Sequence, residues 1–370
     1  MKIVIAPDSF KGTLSAAEVC EIIAAAFRQQ NPGCEILCLP VADGGEGLCN
    51  ALQTAVGGEM ASAETTGVFG EPMAAQYLRL PDGSAVAEMA ACAGLPLAGE
   101  RKNPETASTF GVGLLLRAAV EHGAKKILLG LGGSATNDCG IGMAAALGFR
   151  FLDENGADLP PVGASLGEVK RILPPDPPFP VPVIAACDVD NPLCGEAGAA
   201  HVFAPQKGAD TAMVKRLDEG LRSIAAVIRR DLGLSVADIP GAGAAGGLGA
   251  GTVAFLGGKL QSGIDIVLDT LRFDEAIKGA DLVISGEGKL DSQSSRGKVI
   301  SGVLARAARQ NIPAMLICGC MEDDADKLFP NIPVYPCGAM GRSMAQLQES
   351  CRKELQEAAQ LAAKNAKNQL

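Results

Sequence analysis

The sequence predicts an α/β fold in two domains: an open, doubly wound parallel sheet (Rossmann/flavodoxin-like) with a second α/β domain of mixed sheet inserted into it. Three observations carry this reading. Apolar runs of strand length alternate with amphipathic helical stretches at both ends of the chain. Between them lie short alternating segments separated by Gly turns, the pattern of antiparallel strands. The 370 residues, 48% of them hydrophobic, suffice for about two domains; with 4% aromatics and no Trp, the cores must be aliphatic and alanine-rich.

Residues 2–8 read as a buried strand. Residues 15–28 follow as an amphipathic helix, with Val19, Ile22, Ile23 and Phe27 at helical spacing, Ser15 as the cap and Glu18 completing a capping box. Residues 35–41 are a second strand, and Asp43-Gly44-Gly45-Glu46-Gly47 leads into another helix. From Gly57 the character changes. Residues 60–66, 74–80 and 85–88 read as antiparallel strands, with Leu80-Pro81-Asp82-Gly83-Ser84 as a hairpin signal. A helix over 111–121, a strand over 127–129, the Gly-rich segment 130–138, a helix over 141–147 and a strand over 149–152 come next. Residues 172–182, with six prolines, read as a connector. A strand over 183–187 and a long helix over 211–231 precede a second small-residue segment, 241–251. The opening rhythm then resumes, with strands over 282–285, 314–318 and 332–335 and helices over 298–309 and 343–365. Five strand candidates outside the middle make one open sheet. The expected domains are therefore 1–58 plus 266–370, discontinuous, and 59–265, inserted, with the cleft between them as the default ligand site.

A net charge of −10 and the absence of a basic tract argue against nucleic acid, because neutralising phosphates needs Lys and Arg clusters. No apolar run approaches the roughly 20 residues of a membrane span. The start of the sequence runs directly into a strand, so no secretory leader and a cytoplasmic location are expected. Twelve Cys are scattered without a CxxC, most of them in apolar runs such as those of Cys20, Cys92 and Cys187, and read as small buried hydrophobes. The only histidines are His122, at a helix end where a capping position is expected, and His201. Histidine-centred triads and multi-His metal sites are thereby disfavoured.

The segment Gly130-Leu131-Gly132-Gly133-Ser134-Ala135-Thr136-Asn137-Asp138 suits an anion: glycines allow close approach, backbone N–H groups and hydroxyls donate, and a helix N-terminus adds partial positive charge. The P-loop pattern GxxxxGK[ST] is absent. Gly130-x-Gly132-x-x-Ala135, with Asp153 about 20 residues on after a strand-like run, also fits the relaxed dinucleotide fingerprint, so an NAD-linked dehydrogenase is the rival reading. Acidic residues recur at strand ends, where open α/β sheets bind ligands: Asp8, Asp43 and Glu46, Asp188 and Asp190, Glu287 and Asp291. Such carboxylates suit Mg²⁺ and proton abstraction from an alcohol. Lys11 and Lys298, beside glycines, could neutralise phosphate charge. Together these parts point to phosphoryl transfer to a small hydroxylated acceptor.

Taken in order, Asp8-Ser9-Phe10-Lys11-Gly12, Val41-Ala42-Asp43-Gly44-Gly45-Glu46-Gly47, Gly132-Gly133-Ser134-Ala135-Thr136-Asn137-Asp138, Cys187-Asp188-Val189-Asp190-Asn191-Pro192-Leu193, Gly241-Ala242-Gly243-Ala244-Ala245-Gly246-Gly247 and Ser285-Gly286-Glu287-Gly288-Lys289-Leu290-Asp291-Ser292-Gln293 closely resemble the bacterial glycerate kinases of the type I family. The resemblance runs from the first strand to at least Gly319. Cys139 stands where the family commonly has Gly, and Leu48 where it commonly has Thr. The resemblance implies phosphorylation of D-glycerate with ATP and Mg²⁺, 2-phosphoglycerate being favoured over 3-phosphoglycerate; another small hydroxy acid is the in-class alternative. A homodimer is left open.

The roles expected from the chemistry are as follows. Asp188, Asp190 and Lys11 are catalytic. Gly132, Gly133, Ser134, Thr136, Asn137, Gly286, Glu287 and Gly288 hold phosphate or nucleotide. Asp8, Lys11, Asp43, Glu46, Arg296 and Lys298 contact the acceptor, Lys11 meeting its carboxylate with Arg296 in reserve. Asp190 and Asp291 hold the metal.

Overall fold

The computed structural model describes residues 1–41, 47–291, 294 and 299–366. The chain is α/β and packs as two compact units, one made of Met1–Gly44, Asn50–Val56 and Ile264–Leu370, the other of Gly45–Cys49 and Gly57–Gly263.

The first unit is built on a five-stranded sheet with spatial order Val334–Pro336, Ala314–Cys318, Leu282–Ser285, Lys2–Ile5, Glu35–Cys38. Every neighbouring pair is parallel, with Ile3 opposite Leu282 and Lys2 opposite Glu35. Alternation along the strands shows why both faces are covered. Met315 and Ile317 point into a core with Ile3, Ile5, Phe27 and Ala359, beneath helices Ala16–Gln30 and Met344–Ala366. Leu316 and Cys318 point the other way, toward Ile300 of helix Val299–Arg309. Ser15 caps the first helix, accepting the Glu18 N–H while the Glu18 carboxylate receives the Ser15 N–H, the capping box expected from the sequence.

Strand order reverses direction beside Lys2–Ile5. The chain moves from it to one side, at Glu35–Cys38, and later builds outward on the other, from Leu282–Ser285. The loops after Lys2–Ile5 and Leu282–Ser285 therefore part at a switch point, where an open α/β sheet leaves a crevice.

The second unit holds a six-stranded mixed sheet ordered Lys259–Gln261, Val183–Ala186, Lys126–Gly130, Ser84–Glu88, Pro72–Arg79, Glu59–Thr66. Its first four strands are parallel; the last two pair antiparallel, Leu80 and Ser84 closing the expected hairpin through Leu80 N–H to the Ser84 carbonyl. Helix Phe110–Glu121 lies on the sheet through Val112, Leu115 and Leu116. His122 occupies its C-cap, as expected, and its Nδ1 is 2.5 Å from the Tyr77 hydroxyl. A separate hydrophobic core, with Phe149, Phe151 and Phe255 among its members, unites helices Thr211–Leu232 and Ala244–Leu256 with the ribbon Arg150–Leu152/Arg171–Leu173. All twelve Cys are free thiols.

Two expectations need correction. Residues 172–182 are not wholly a connector, because Ile172 and Leu173 pair with the strand Arg150–Leu152. That strand, in turn, lies outside the six-stranded sheet, in a two-stranded antiparallel ribbon of its own. Strands of three residues are too short to display a period, so their partners decide them.

Arg306 of helix Val299–Arg309 is nearly buried and faces three carboxylates: Asp274 at 2.6 Å, Asp269 at 2.7 Å and Asp265 at 2.8 Å. It ties the last long helix of this face to Gly263–Thr270 and Phe273–Ala276. Because those carboxylates are about half exposed, water screens part of the effect. Replacing Arg306 with Met should destabilise the protein by about 2 kcal/mol, leaving three like charges around an uncharged side chain; urea unfolding followed by circular dichroism measures it, and an unchanged midpoint would show the cluster to be inconsequential.

Candidate active site

In the second unit, strands Lys126–Gly130 and Val183–Ala186 are parallel neighbours with Gly130 opposite Ala186. The Gly-rich loop and the Asp188–Asn191 segment thus leave the same edge of the sheet, side by side. Leu131 N–H still reaches the Ala186 carbonyl at 3.3 Å before the two chains part.

The third element at this edge is the small-residue segment over 241–251. It forms the start of helix Ala244–Leu256, with left-handed backbone at Ala245, Gly246 and Gly247. Its glycines exist for proximity. A Cβ on Gly246 would lie 2.0 Å from the Thr136 carbonyl oxygen, one on Gly251 2.4 Å from that of Cys139, and one on Gly243 2.3 Å from that of Pro192. Cys139 N–H bonds the Gly246 carbonyl at 3.0 Å, and Gly243 N–H bonds the Asn191 carbonyl at the same distance. One segment therefore clamps both loops. Cys139 itself is fully buried with φ of 53°, a conformation that glycine adopts without cost.

Within the Gly-rich loop the structure separates residues that the sequence groups together. Gly132 and Gly133 are exposed, Gly133 with φ of 73°. Ser134 is nearly buried, and Thr136, Asn137 and Asp138 are fully so. Ala135 N–H goes to the Ala93 carbonyl at 2.9 Å, whereas the N–H groups of Gly132, Gly133, Thr136 and Asn137 have no partner among the described residues. Asp138 is a structural anchor. Its carboxylate accepts from Thr109 N–H at 2.8 Å, Thr109 Oγ1 at 2.7 Å, Gly140 N–H at 3.1 Å and Gly142 N–H at 3.3 Å. Burial pushes its carboxyl above the ordinary range while those four donors oppose the shift.

This corrects the expected helix-terminus contribution. Helix Ile141–Ala146 is a six-residue helix, and Asp138 already occupies two N–H groups at its start. The dinucleotide reading falls with it: the strand after that helix is Arg150–Leu152, which pairs antiparallel outside the main sheet, so Asp153 does not end the second strand of a compact βαβ unit as the fingerprint requires.

Sequence reasoning missed Lys207. This lysine, on the 3₁₀ turn Pro205–Lys207, is 2% exposed and donates to Ser134 Oγ at 2.6 Å and to the Thr136 carbonyl at 2.7 Å. Burial pulls its ammonium down to about 7, the charge of Asp138 resisting. Nothing at the level of spacing links it to a loop 71 residues away.

Beyond the strand Val183–Ala186, Asp188 and Asp190 are both exposed. One Asp188 oxygen receives Gly263 N–H at 2.8 Å.

In the first unit the switch point opens into a cavity of about 330 Å³ lined by Asp8, Lys11, Glu287, Gly288, Asp291 and Arg342, among others. The two loops are stitched together: Asp8 N–H reaches the Gly286 carbonyl at 2.8 Å and Ser285 Oγ the Ala6 carbonyl at 2.8 Å. Gly286 must be glycine, because a Cβ would sit 1.8 Å from the Ile317 carbonyl oxygen. Glu287 is nearly buried and accepts a hydrogen bond from the Ser294 hydroxyl. Of the lining cations, Arg342 is held bidentate by Glu354 at 2.6 and 2.8 Å, and Lys289 by Glu322 at 2.5 Å and Asp291 at 3.5 Å. Lys11 has no ion-pair partner among the described residues. Neither Lys289, although it lies within a motif, nor Arg342 carries a sequence signal for this position, because a lysine or arginine on a loop reads as solvated. Asp43, Glu46, Arg296 and Lys298 lie outside the described residues.

A family model described as the glycerate kinase family matches residues 3–368. The chain belongs to the glycerate kinase family. Its relatives include the glycerate 2-kinase of Escherichia coli, 46% identical over 88% of this chain and 86% of that protein. The glycerate kinase of Bacillus subtilis is 43% identical over 89% and 87%. The crystal structure of putative glycerate kinase 2 from Salmonella typhimurium superposes with a TM-score of 0.84 at 39% identity, covering 100% of this chain and 98% of that one. This glycerate kinase is thus a phosphotransferase, and the family implies ATP as its phosphoryl donor. Among the described residues, no helix is long and apolar enough to cross a membrane.

Two outcomes test the architecture of the loop. Gly246→Ala should cost more than about 2 kcal/mol, since a left-handed residue gains a clash with backbone; unaltered thermal unfolding would contradict the close approach. Lys207 yields a pH signature. Its folded pKa lies near 7, below its ordinary 10.5, so between those values the unfolded chain binds the extra proton and stability rises with pH. Wild type should gain stability relative to Lys207→Met from pH 7 to pH 10, and parallel stability curves would disprove the depressed pKa.

Proposed function

We propose that the enzyme transfers the terminal phosphoryl group of ATP to D-glycerate, at the 2-hydroxyl, with Mg²⁺ as the assisting metal. Family membership supports the acceptor, and likeness to the E. coli glycerate 2-kinase supports the 2-position. Within this chain the reading is carried by the switch-point cavity, where Lys11 is a cation among carboxylates without an ion-pair partner among the described residues. A small hydroxy acid needs that combination: one positive charge for its carboxylate and hydrogen-bond acceptors for its hydroxyls.

In this reading Lys11 meets the glycerate carboxylate, with Asp8 among the acceptors of its hydroxyls. The exposed Gly132 and Gly133, together with Ser134, Thr136 and Asn137, hold phosphate oxygens through N–H and hydroxyl donors; Gly286, Glu287 and Gly288 are assigned to the nucleotide. Asp190 is the favoured base for the 2-hydroxyl proton, because Gly263 already engages one oxygen of Asp188. Asp43, Glu46, Arg296 and Lys298 keep their assignment to the acceptor.

Among the described residues no three His, Cys, Asp or Glu side chains come close enough to cage a metal. Mg²⁺ needs no such cage, since it takes one or two carboxylates and completes its shell with water and phosphate oxygens. The hard oxygens of Asp190 and Asp291 fit that requirement, and Lys289, 3.5 Å from Asp291, marks the latter as a place already suited to a cation. When bound, the metal would neutralise phosphate charge in the transition state.

With Mg-ATP and D-glycerate the protein should release ADP and 2-phosphoglycerate, resolved from the 3-isomer by phosphorus NMR. Formation of the 3-isomer overturns the regiochemistry; ADP release no higher than without acceptor overturns the substrate. Asp190→Asn should lower kcat at least about 100-fold, and near-normal rates for both Asp190→Asn and Asp188→Asn would remove the base from this segment.

A further inference from the structure

Lys207 has no place in the roles assigned above, yet its situation is costly. It is a fully enclosed ammonium with no carboxylate within ion-pair distance among the described residues. The charge that influences it, Asp138, is occupied by four other donors. A methionine would fill the same volume without that desolvation. Held in its charged form, this amine needs a counter-charge, and the described residues do not supply one.

The neighbouring side chains point the same way. Thr136 Oγ1 and both polar atoms of the Asn137 amide are buried with no hydrogen-bond partner among the described residues, a state that native structures rarely leave unresolved. Ser134 lies between them and the exposed glycines of the same loop. Its oxygen accepts from Lys207, so its single hydroxyl proton remains to be donated, and no acceptor for it is present among the described residues. A cation, a hydroxyl donor and unpartnered polar groups thus converge on one loop.

We propose that Lys207 is a positioning residue for an oxyanion bound on the Gly-rich loop: it fixes Ser134 as a donor to that anion and places positive charge beneath it. The inference rests on the reading of this loop as an anion site and deepens it. The oxyanion is a phosphate of the nucleotide or the carboxylate of the acceptor, which share the same recognition chemistry.

The test uses the full chain with Lys207→Met, Ser134→Ala and the double variant, assayed with Mg-ATP and D-glycerate. Lys207→Met should lower kcat/KM about 100-fold, with a raised KM for one substrate. A raised KM for ATP identifies the phosphate; a raised KM for glycerate identifies the carboxylate. Ser134→Ala should cause a comparable loss, and the double variant should be no worse than either single one, because both remove the same donor. Lys207→Arg, which keeps charge and donor, should recover most of the lost KM. Additive losses, wild-type constants in Lys207→Met, or a folded Lys207→Arg as impaired as Lys207→Met would overturn the inference. Wild-type constants in Ser134→Ala would instead remove the loop from ligand binding altogether, and the inference with it. Should Lys207→Met not fold, Lys207→Gln replaces it with the same outcomes.

Discussion

Backbone packed directly on backbone at Gly243, Gly246 and Gly251 is the contact on which the candidate site of the mixed-sheet unit depends. A parallel sheet delivers two loops at one edge, but a loop is a poor holder of geometry unless something fixes it. Here the fixing element is a helix start with no side chains in the way. The Asp138 carboxylate completes the arrangement by tying the loop to Thr109, so the polypeptide around Ser134 and Thr136 is supported from two directions. The low aromatic content fits this architecture: small residues, rather than large anchors, let the chains approach.

The other unit solves the corresponding problem with topology. Its sheet turns away from Lys2–Ile5 in both directions, and the crevice follows from strand order before any side chain is considered. Gly286 then permits the approach to Ile317, and the residues that line the cavity arrive on the loops of two adjacent strands. Most lining cations are already neutralised by Glu354, Glu322 or Asp291, which makes Lys11, unpaired among the described residues, stand out.

Much of this was legible in the sequence. The five parallel strands, the Ser15–Glu18 cap, the hairpin around Gly83 and the loops at strand ends follow from periodicity and turn chemistry, and motif order pointed to the family. What escaped had no local signal. Lys207 looks like a surface lysine beside Pro205 until the fold brings it under a distant loop. Asp138 looked like one more polar group of an anion loop, yet it is consumed in capping a short helix. The strand at Arg150–Leu152 looked like the next step of a βαβ unit, and only its antiparallel partner at Arg171–Leu173 shows otherwise. The glycines of 241–251 announced a special segment without saying that nearness to carbonyl oxygens was its purpose.

The interleaved composition of the two units bears on how the chain comes off the ribosome. Lys2–Ile5 emerges well before one of its sheet neighbours, Leu282–Ser285, which follows some 280 residues later. Throughout that interval Ile3 and Ile5 lack the core that finally encloses them, and by its end every strand of the six-stranded sheet has been made. The mixed-sheet unit can therefore form first, during synthesis, and the parallel sheet must be assembled afterwards from the segments on either side of it. A nascent chain stalled before residue 282 would hold one complete sheet and an orphaned pair of apolar strands, the kind of exposed edge that chaperones recognise and that aggregation exploits.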